Sequence, residues 1–330
     1  MPERIALAKA WLNEELGRDD YGFAPASSDA SFRRYFRITY DGNSVIIMDA
    51  PPEKENAEHF VNVARALFEH GLNVPEIFAT DYQQGFVLLS DLGTRTYLNE
   101  LNASSAQQLY GDALKALLTL QSEVPTEHEL FPDYDRELLM NEMQLFADWY
   151  LGKHLQLSLS AEQQQRLQQA FTQLADMALS QTQVVVHRDY HSRNLMITDQ
   201  HNPGIIDFQD AVVGPVTYDL VSLLRDCYIA WPQQEILNWV EGYHQRALEA
   251  GVISDVSLET FTRWFDWMGI QRHLKASGIF ARLNHRDGKD GYLKDIPRTL
   301  GYILQVSEND KELADLHALL TELGVHHIAD

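Results

Sequence analysis

The stretch VVVHRDYHSRNLMITDQHNPGIIDFQD, which ends at Asp210, groups the residues that could do chemistry. Asp189 follows three valines, Asn194 comes five positions later, and Asp207 comes thirteen after that, in the triplet Asp207-Phe208-Gln209. Transfer of a phosphoryl group from ATP needs a carboxylate to orient an acceptor hydroxyl and take its proton, and oxygen ligands for a magnesium ion on the terminal phosphates. Asp189, at a strand end, suits the first task. Asn194 and Asp207 flank a short hairpin that can bring both oxygens to one ion. The competing reading is loop-capping polar residues around that hairpin, and the order and gaps argue against it. A zinc pair at His187 and His191 has helical spacing, but a strand–loop–strand context surrounds it and no glutamate follows the first histidine. His187 is expected to brace the loop.

These residues need strands and helices to hold them. Phe32 to Tyr40 is rich in aromatic and β-branched residues, as strands are. Asp41-Gly42 marks a tight turn, and Ser44 to Asp49 returns as a buried strand. Phe60, Val63, Ala64 and Leu67 share a helix face that ends at Gly71. Pro75 to Thr80 and Phe86 to Ser90 are two further strands, joined at Gln83-Gln84-Gly85. From about residue 96, helical periodicity dominates on both sides of the 184–213 island. The expectation is an α+β chain with a small β-rich N-lobe (1–91), covering the nucleotide phosphates, and a larger, mostly helical C-lobe (92–330) carrying the catalytic loop, the magnesium site and the acceptor helices.

The spacing resembles the protein-kinase signature of His-Arg-Asp, an Asn five positions after the Asp, and a later Asp-Phe-Gly. No activation segment fits, since Tyr218-Asp219-Leu220 follows Asp207 within a dozen residues. With Gly214-Pro215 and Tyr218-Asp219-Leu220, the pattern resembles the aminoglycoside phosphotransferase superfamily, which implies a two-lobed protein-kinase-like fold and ATP and Mg2+ as cofactors. Segments 28–36, 48–52 and 269–286 look like the bacterial N-acetylmuramate/N-acetylglucosamine kinases of cell-wall recycling, which phosphorylate the anomeric hydroxyl of an amino sugar. The resemblance implies that Tyr218-Asp219 buttresses the catalytic loop, and with no phospho-residue to read Arg188 is expected to have a structural role.

Two departures matter. No Gly-x-Gly-x-x-Gly loop is present, so Ser27 to Arg34, with Ser31 and backbone amides as donors, would cover the phosphates. The strand that should end in lysine reads Val45-Ile46-Ile47-Met48. Arg33 or Arg34 would supply the missing charge, only one of them if both lie on a strand. The alternative pairs both with surface acids. With no strand lysine, a helix glutamate at Glu55 or Glu58 has no expected role. Ser90, Asp91 and Leu92 are the expected adenine hinge, acting through the backbone.

For the acceptor, residues 261–300 carry eight Lys or Arg against four Asp within a chain of net charge -22. Arg272, Arg282 and Arg286 are candidates for an anionic group such as a lactyl carboxylate, against a reading as surface ion pairs. Asp226 is a candidate for a sugar hydroxyl, and Trp231, Trp264 and Trp267 for ring stacking or for core. Alternatives keep the fold and change the acceptor to an aminoglycoside, a choline-like or another small alcohol, or remove catalysis altogether in a pseudokinase. The acidic balance argues against nucleic acid. No apolar run of membrane length, no leader pattern and a lone Cys227 are consistent with a cytoplasmic protein. The working expectation is a monomer.

Overall fold

A computed structural model describes residues 2–26, 32–127 and 129–325. Ser31 and most of the expected phosphate-covering segment lie outside the described residues. The chain divides into two compact units, one comprising Met1–Ala113 with Asn194–Asp210, the other Leu114–Arg193 with Ala211–Asp330.

The first unit opens with helix α1 (Pro2–Leu16) and strands β1 (Gly22–Pro25), β2 (Arg34–Tyr40) and β3 (Asn43–Asp49). Helix α2 (Ala57–Glu69), strands β4 (Ile77–Asp81) and β5 (Phe86–Ser90), and the short helix α3 (Tyr97–Glu100) follow. The five strands form an antiparallel sheet in the order β1-β2-β3-β5-β4. The β2–β3 turn has left-handed backbone at both Asp41 (φ 49°) and Gly42 (φ 78°), which matches the right-handed twist of its strands. Gly85, at φ 75°, is required twice over, because a Cβ there would sit 1.9 Å from the Ala50 carbonyl oxygen. One sheet face packs Phe36, Ile38, Val45 and Ile47 against Ala8, Trp11 and Leu12 of α1.

On that face, directly paired across β2 and β3, stand Arg34 and Asp49. Asp49 is fully buried and holds two cations. Arg4 of α1 donates to Oδ1 through Nε at 2.8 Å, and Arg34 donates to Oδ2 through Nε at 3.0 Å. Strand β1 has no counterpart in the sequence reading. Arg33 precedes β2 rather than lying within it.

Helix α4 (Ala106–Glu123) runs from the first unit into the second. The second unit continues with α5 (Arg136–Leu145), which leads straight into a π-helical stretch, Phe146–His154, then α6 (Ala161–Ser180) and β6 (Gln183–Val186). Strands β7 (Leu195–Met196) and β8 (Gly204–Ile205) belong to the first unit. Strand β9 (Val212–Pro215) pairs with β6 and is followed by α7 (Tyr218–Leu224), α8 (Gln233–Glu249), α9 (Leu258–Asp287), α10 (Ile296–Asn309) and α11 (Ala314–Glu322). Helix α9 starts at an Ser257 N-cap and ends at left-handed Gly288. Gly278 lets it approach α5, where a Cβ would meet the Leu145 carbonyl carbon at 2.4 Å. No described helix is long and apolar enough to cross a membrane.

Candidate active site

Asp189 lies in the loop after β6, half-buried, and the loop is fixed by acids from the following chain. Asp219, fully buried on α7, accepts the His187 amide at 2.6 Å and the Arg188 amide at 3.0 Å, one on each oxygen. Burial pushes the Asp219 carboxyl up to about 7, with the Asp189 charge adding to the rise and the two amides opposing it. The Asp189 amide donates to Nδ1 of His187 at 3.2 Å, so the loop folds back on its own histidine. Arg188 adopts a left-handed backbone, φ 74°, that is unusual for a side chain of its size.

Asp226 performs a task like that of Asp219. Its Oδ2 accepts the Ser192 amide at 2.9 Å and its Oδ1 the Tyr228 amide at 2.8 Å. It is 1% exposed. With each oxygen accepting a backbone amide, Asp226 closes the loop.

A third buried carboxylate near the loop is Glu142 on α5. Arg188 and Tyr134 donate to it, Lys275 of α9 pairs with it at 2.9 Å, and Gln271 reaches it at 3.4 Å. Burial raises the Glu142 carboxyl, but Lys275 and Arg188 outweigh burial and hold it below the usual range. Burial works against the Lys275 ammonium, and Glu142 more than restores its charge. Asp189 follows the same logic: burial raises it, while Lys275, His191, His187 and Arg272 bring it below the ordinary carboxylate value. Lys275 and Arg272 thus favour the ionised form of Asp189, which can accept a proton.

Asp189 lines a cleft of ≈ 170 Å³ whose walls include Tyr228, Phe280 and Tyr292, with Arg272 and Lys275 beside them. Phe280 and Tyr292 stack with ring centroids 5.5 Å apart, and Tyr228 lies 6.2 Å from Phe280. The α9 residues of the cleft recur at helical spacing, which is the signal that could have found them.

Of the basic candidates, Arg272 reaches the cleft, but it is 5% exposed and donates to the Ser222 hydroxyl at 2.5 Å and the Cys227 sulfur at 3.4 Å. Arg286 is paired with its neighbour Asp287 on the surface. Arg282 is not among the cleft residues, and its Nε is buried without a partner. The basic stretch is therefore dispersed, with Arg263 pairing to Asp310 and Glu312 besides. The tryptophans do not line the cleft either: Trp267 is buried against Asp310, and Trp231 packs edge-on to Trp239.

In the first unit, β7 and β8 form the expected hairpin, with Leu195 opposite Ile205. It brings Asn194 to Asp207, Nδ2 lying 3.4 Å from Oδ2. Asp207 is also left-handed, φ 66°. The triplet's third residue, missed in the sequence reading, is Gln209. Its Nε2 donates to Asp207 Oδ1 at 2.9 Å, and its carbonyl lies 3.0 Å from a ring nitrogen of His59 on α2. Phe208 packs on Phe60 of the same helix, ring centroids 4.9 Å apart. An amide oxygen and a carboxylate side by side suit Mg2+, a hard cation that keeps most of its shell for water and phosphate.

The other first-unit candidates are placed as follows. Arg34 is committed to Asp49. Arg33 lies 3.8 Å from Glu55, just ahead of α2, a pairing that sequence reasoning did not assign. Asp91 is held by Arg37 and accepts the Gly93 amide at 2.9 Å, so its carboxylate shapes the turn after β5. Ser90 ties β5 to Glu76 through its hydroxyl and its amide. Leu92 packs beside Gly204 of β8.

Residues 22–252 match the phosphotransferase enzyme family (APH), and the chain belongs to that family. It is 47% identical over 336 residues to the N-acetylmuramate/N-acetylglucosamine kinase of Pseudomonas putida, covering 98% of both chains. It is 44% identical to the protein of the same name from Neisseria meningitidis serogroup B, covering 98% of this chain and 96% of that one. Its fold is shared with the choline kinase of Streptococcus pneumoniae, at a TM-score of 0.65 and 13% identity over 92% of this chain and 99% of that one. It is shared too with ADP-bound aminoglycoside phosphotransferase APH(2'')-Ib, at a TM-score of 0.60 and 16% identity over 90% and 97%. The α+β, protein-kinase-like class follows, and with it a phosphotransferase acting on a hydroxyl group.

Proposed function

We propose that the protein transfers the γ-phosphoryl group of ATP to the anomeric hydroxyl of an amino sugar, N-acetylmuramate, N-acetylglucosamine or both, in cell-wall recycling. The observation that carries this reading is an ionised Asp189 in a cleft walled by Tyr228, Phe280 and Tyr292. Aromatic faces suit the apolar face of a pyranose, and the near full-length relatives carry the names of kinases for these two sugars. ATP as donor supports a cytoplasmic reaction.

In this reading the acceptor hydroxyl donates its hydrogen bond to Asp189. Its oxygen bonds to the γ-phosphorus as the bond to the β–γ bridging oxygen breaks. The electron pair leaves with ADP, and the proton passes to the Asp189 carboxylate. Asn194 and Asp207 would hold Mg2+, which when bound neutralises charge on the phosphates, while Gln209 orients Asp207. Arg33, paired with Glu55, takes the part played elsewhere by a strand lysine and a helix glutamate. Arg34 is spoken for by Asp49, which supports Arg33 as the phosphate cation.

Phosphorus NMR of the product, with magnesium, ATP and a panel of the two sugars, other hexoses, choline and kanamycin, tests this directly. A sugar 1-phosphate doublet is the expected result, and turnover confined to cationic acceptors would overturn it. Asp189→Asn should lower kcat by about 10²–10⁴-fold, the usual worth of a general base. Wild-type turnover in that variant would remove Asp189 from its role.

A further inference from the structure

Against two wall residues of the acceptor cleft packs a cation that neither sequence pattern nor family comparison assigns. Arg193, half-buried and one residue before Asn194, lies with its guanidinium carbon 3.7 Å from the Tyr228 ring centroid and 5.3 Å from that of Tyr292. Both rings line the cleft that holds Asp189. Each is itself braced, Tyr292 by stacking on Phe280 and Tyr228 by the edge of His191. A guanidinium held between two aromatic faces keeps its N–H groups in plane and available, since stacking uses the face and leaves the edge.

Among the described residues, Arg193 makes no ion pair and no side-chain hydrogen bond. The nearby acid, Asp295, is paired instead with Arg298 at 3.4 Å, and Asp295 feels Arg193 only through space. The two cations that line the cleft are differently placed. Lys275 is neutralised by Glu142 and donates to the Tyr218 hydroxyl at 3.0 Å, and Arg272 is buried in its own hydrogen bonds.

We infer that Arg193 forms a carboxylate subsite at the acceptor cleft and that the protein is built for an anionic hexosamine: the aromatic clamp presents an edge-on guanidinium to the acid carried by an O3-lactyl substituent. This rests on the amino-sugar reading above. N-acetylmuramate has that carboxylate and N-acetylglucosamine does not, so the two sugars differ by the group Arg193 would read.

The test is kcat/KM for both sugars with the full-length wild type, Arg193→Gln and Arg193→Lys, at low and high salt. Arg193→Gln should cut the preference for N-acetylmuramate over N-acetylglucosamine by about 10- to 100-fold, the worth of a charge-assisted hydrogen bond, chiefly through KM. Arg193→Lys should recover part of that preference. In the wild type, salt should weaken use of N-acetylmuramate more than of N-acetylglucosamine, and that difference should vanish in Arg193→Gln. A ratio unchanged within about twofold, with both sugars falling together, would make Arg193 a loop-positioning residue and overturn the assignment. So would a wild type that phosphorylates N-acetylglucosamine but not N-acetylmuramate. Failure of the wild type on both sugars would instead bring down the underlying amino-sugar reading.

Discussion

Two buried carboxylates in this chain solve the same electrostatic problem for different ends. Asp49, in the first unit, is flanked by Arg4 and Arg34, and Glu142, in the second, by Arg188 and Lys275. Each acid balances two cations that could not otherwise be drawn out of water. The Asp49 cluster fastens helix α1 to the sheet and touches none of the candidate site residues except Arg34. The Glu142 cluster reaches Arg188, one residue from Asp189, and Lys275, which lines the acceptor cleft. The difference teaches that a doubly paired buried acid is not in itself a mark of function. What its cations are attached to decides.

The comparison can be broken by removing one charge from each cluster. Glu142→Gln leaves Arg188 and Lys275 uncompensated and should cost about 3–5 kcal/mol in denaturant unfolding. It should also lower kcat, because the left-handed backbone at Arg188 loses its side-chain anchor. Asp49→Asn should destabilise by about 3 kcal/mol, at the low end of that range because its arginines are partly exposed. Its kcat should stay within about twofold of wild type at a temperature where the variant is folded. If Asp49→Asn lost activity as steeply as Glu142→Gln, the two clusters would not differ as described.

Acid titration sharpens the same point with a smaller effect. Glu142 and Asp189 have folded-state values below their unfolded ones, so their contribution is fully present above the unfolded carboxylate range, about 4, and is lost as pH falls through the depressed values. Asp219 has the opposite sign. Raised to about 7, it contributes stability below its unfolded value that is lost as pH rises through neutrality. Unfolding free energy measured from pH 5 to pH 8.5 should therefore decline towards the alkaline end. Asp219→Asn should flatten that slope, whatever it does to the level. A slope that survives the substitution would assign it to another group.

Much of this was legible because it is local. The hairpin turn at Asp41-Gly42 needs only its own two residues to bend, and the 194–207 spacing already forces Asn194 and Asp207 to either side of a short hairpin. Asp219 was legible as a buttress through the family resemblance that Tyr218-Asp219-Leu220 carries. The clusters were not. Glu142 lies 46 residues before Arg188 and 133 before Lys275, on a helix where an acid is ordinarily solvent-facing, so nothing in its neighbours marks it as buried. Arg34 stayed open between a phosphate cation and a surface ion pair, because its partner was known as the end of a strand and not as a buried charge. The pairing of Asp226, Arg272 and Arg286 was hidden for a related reason. Sequence shows which groups are present but not whether backbone amides or adjacent acids have already claimed them.

The positive φ angles at Arg188 and Asp207 bear on how this protein can be engineered. Both positions hold a conformation that glycine adopts freely and a side chain adopts at a cost of about 1–3 kcal/mol. A library screened for heat resistance alone would find glycine attractive at Asp207, where the side chain offers little packing in return, and would discard the metal ligand proposed there. At Arg188 the same exchange would strip a cation from Glu142, so relief of backbone strain and loss of the ion pair would oppose each other. Heat tolerance and turnover are therefore expected to part company first at Asp207, and selection for both together is the way to keep them joined.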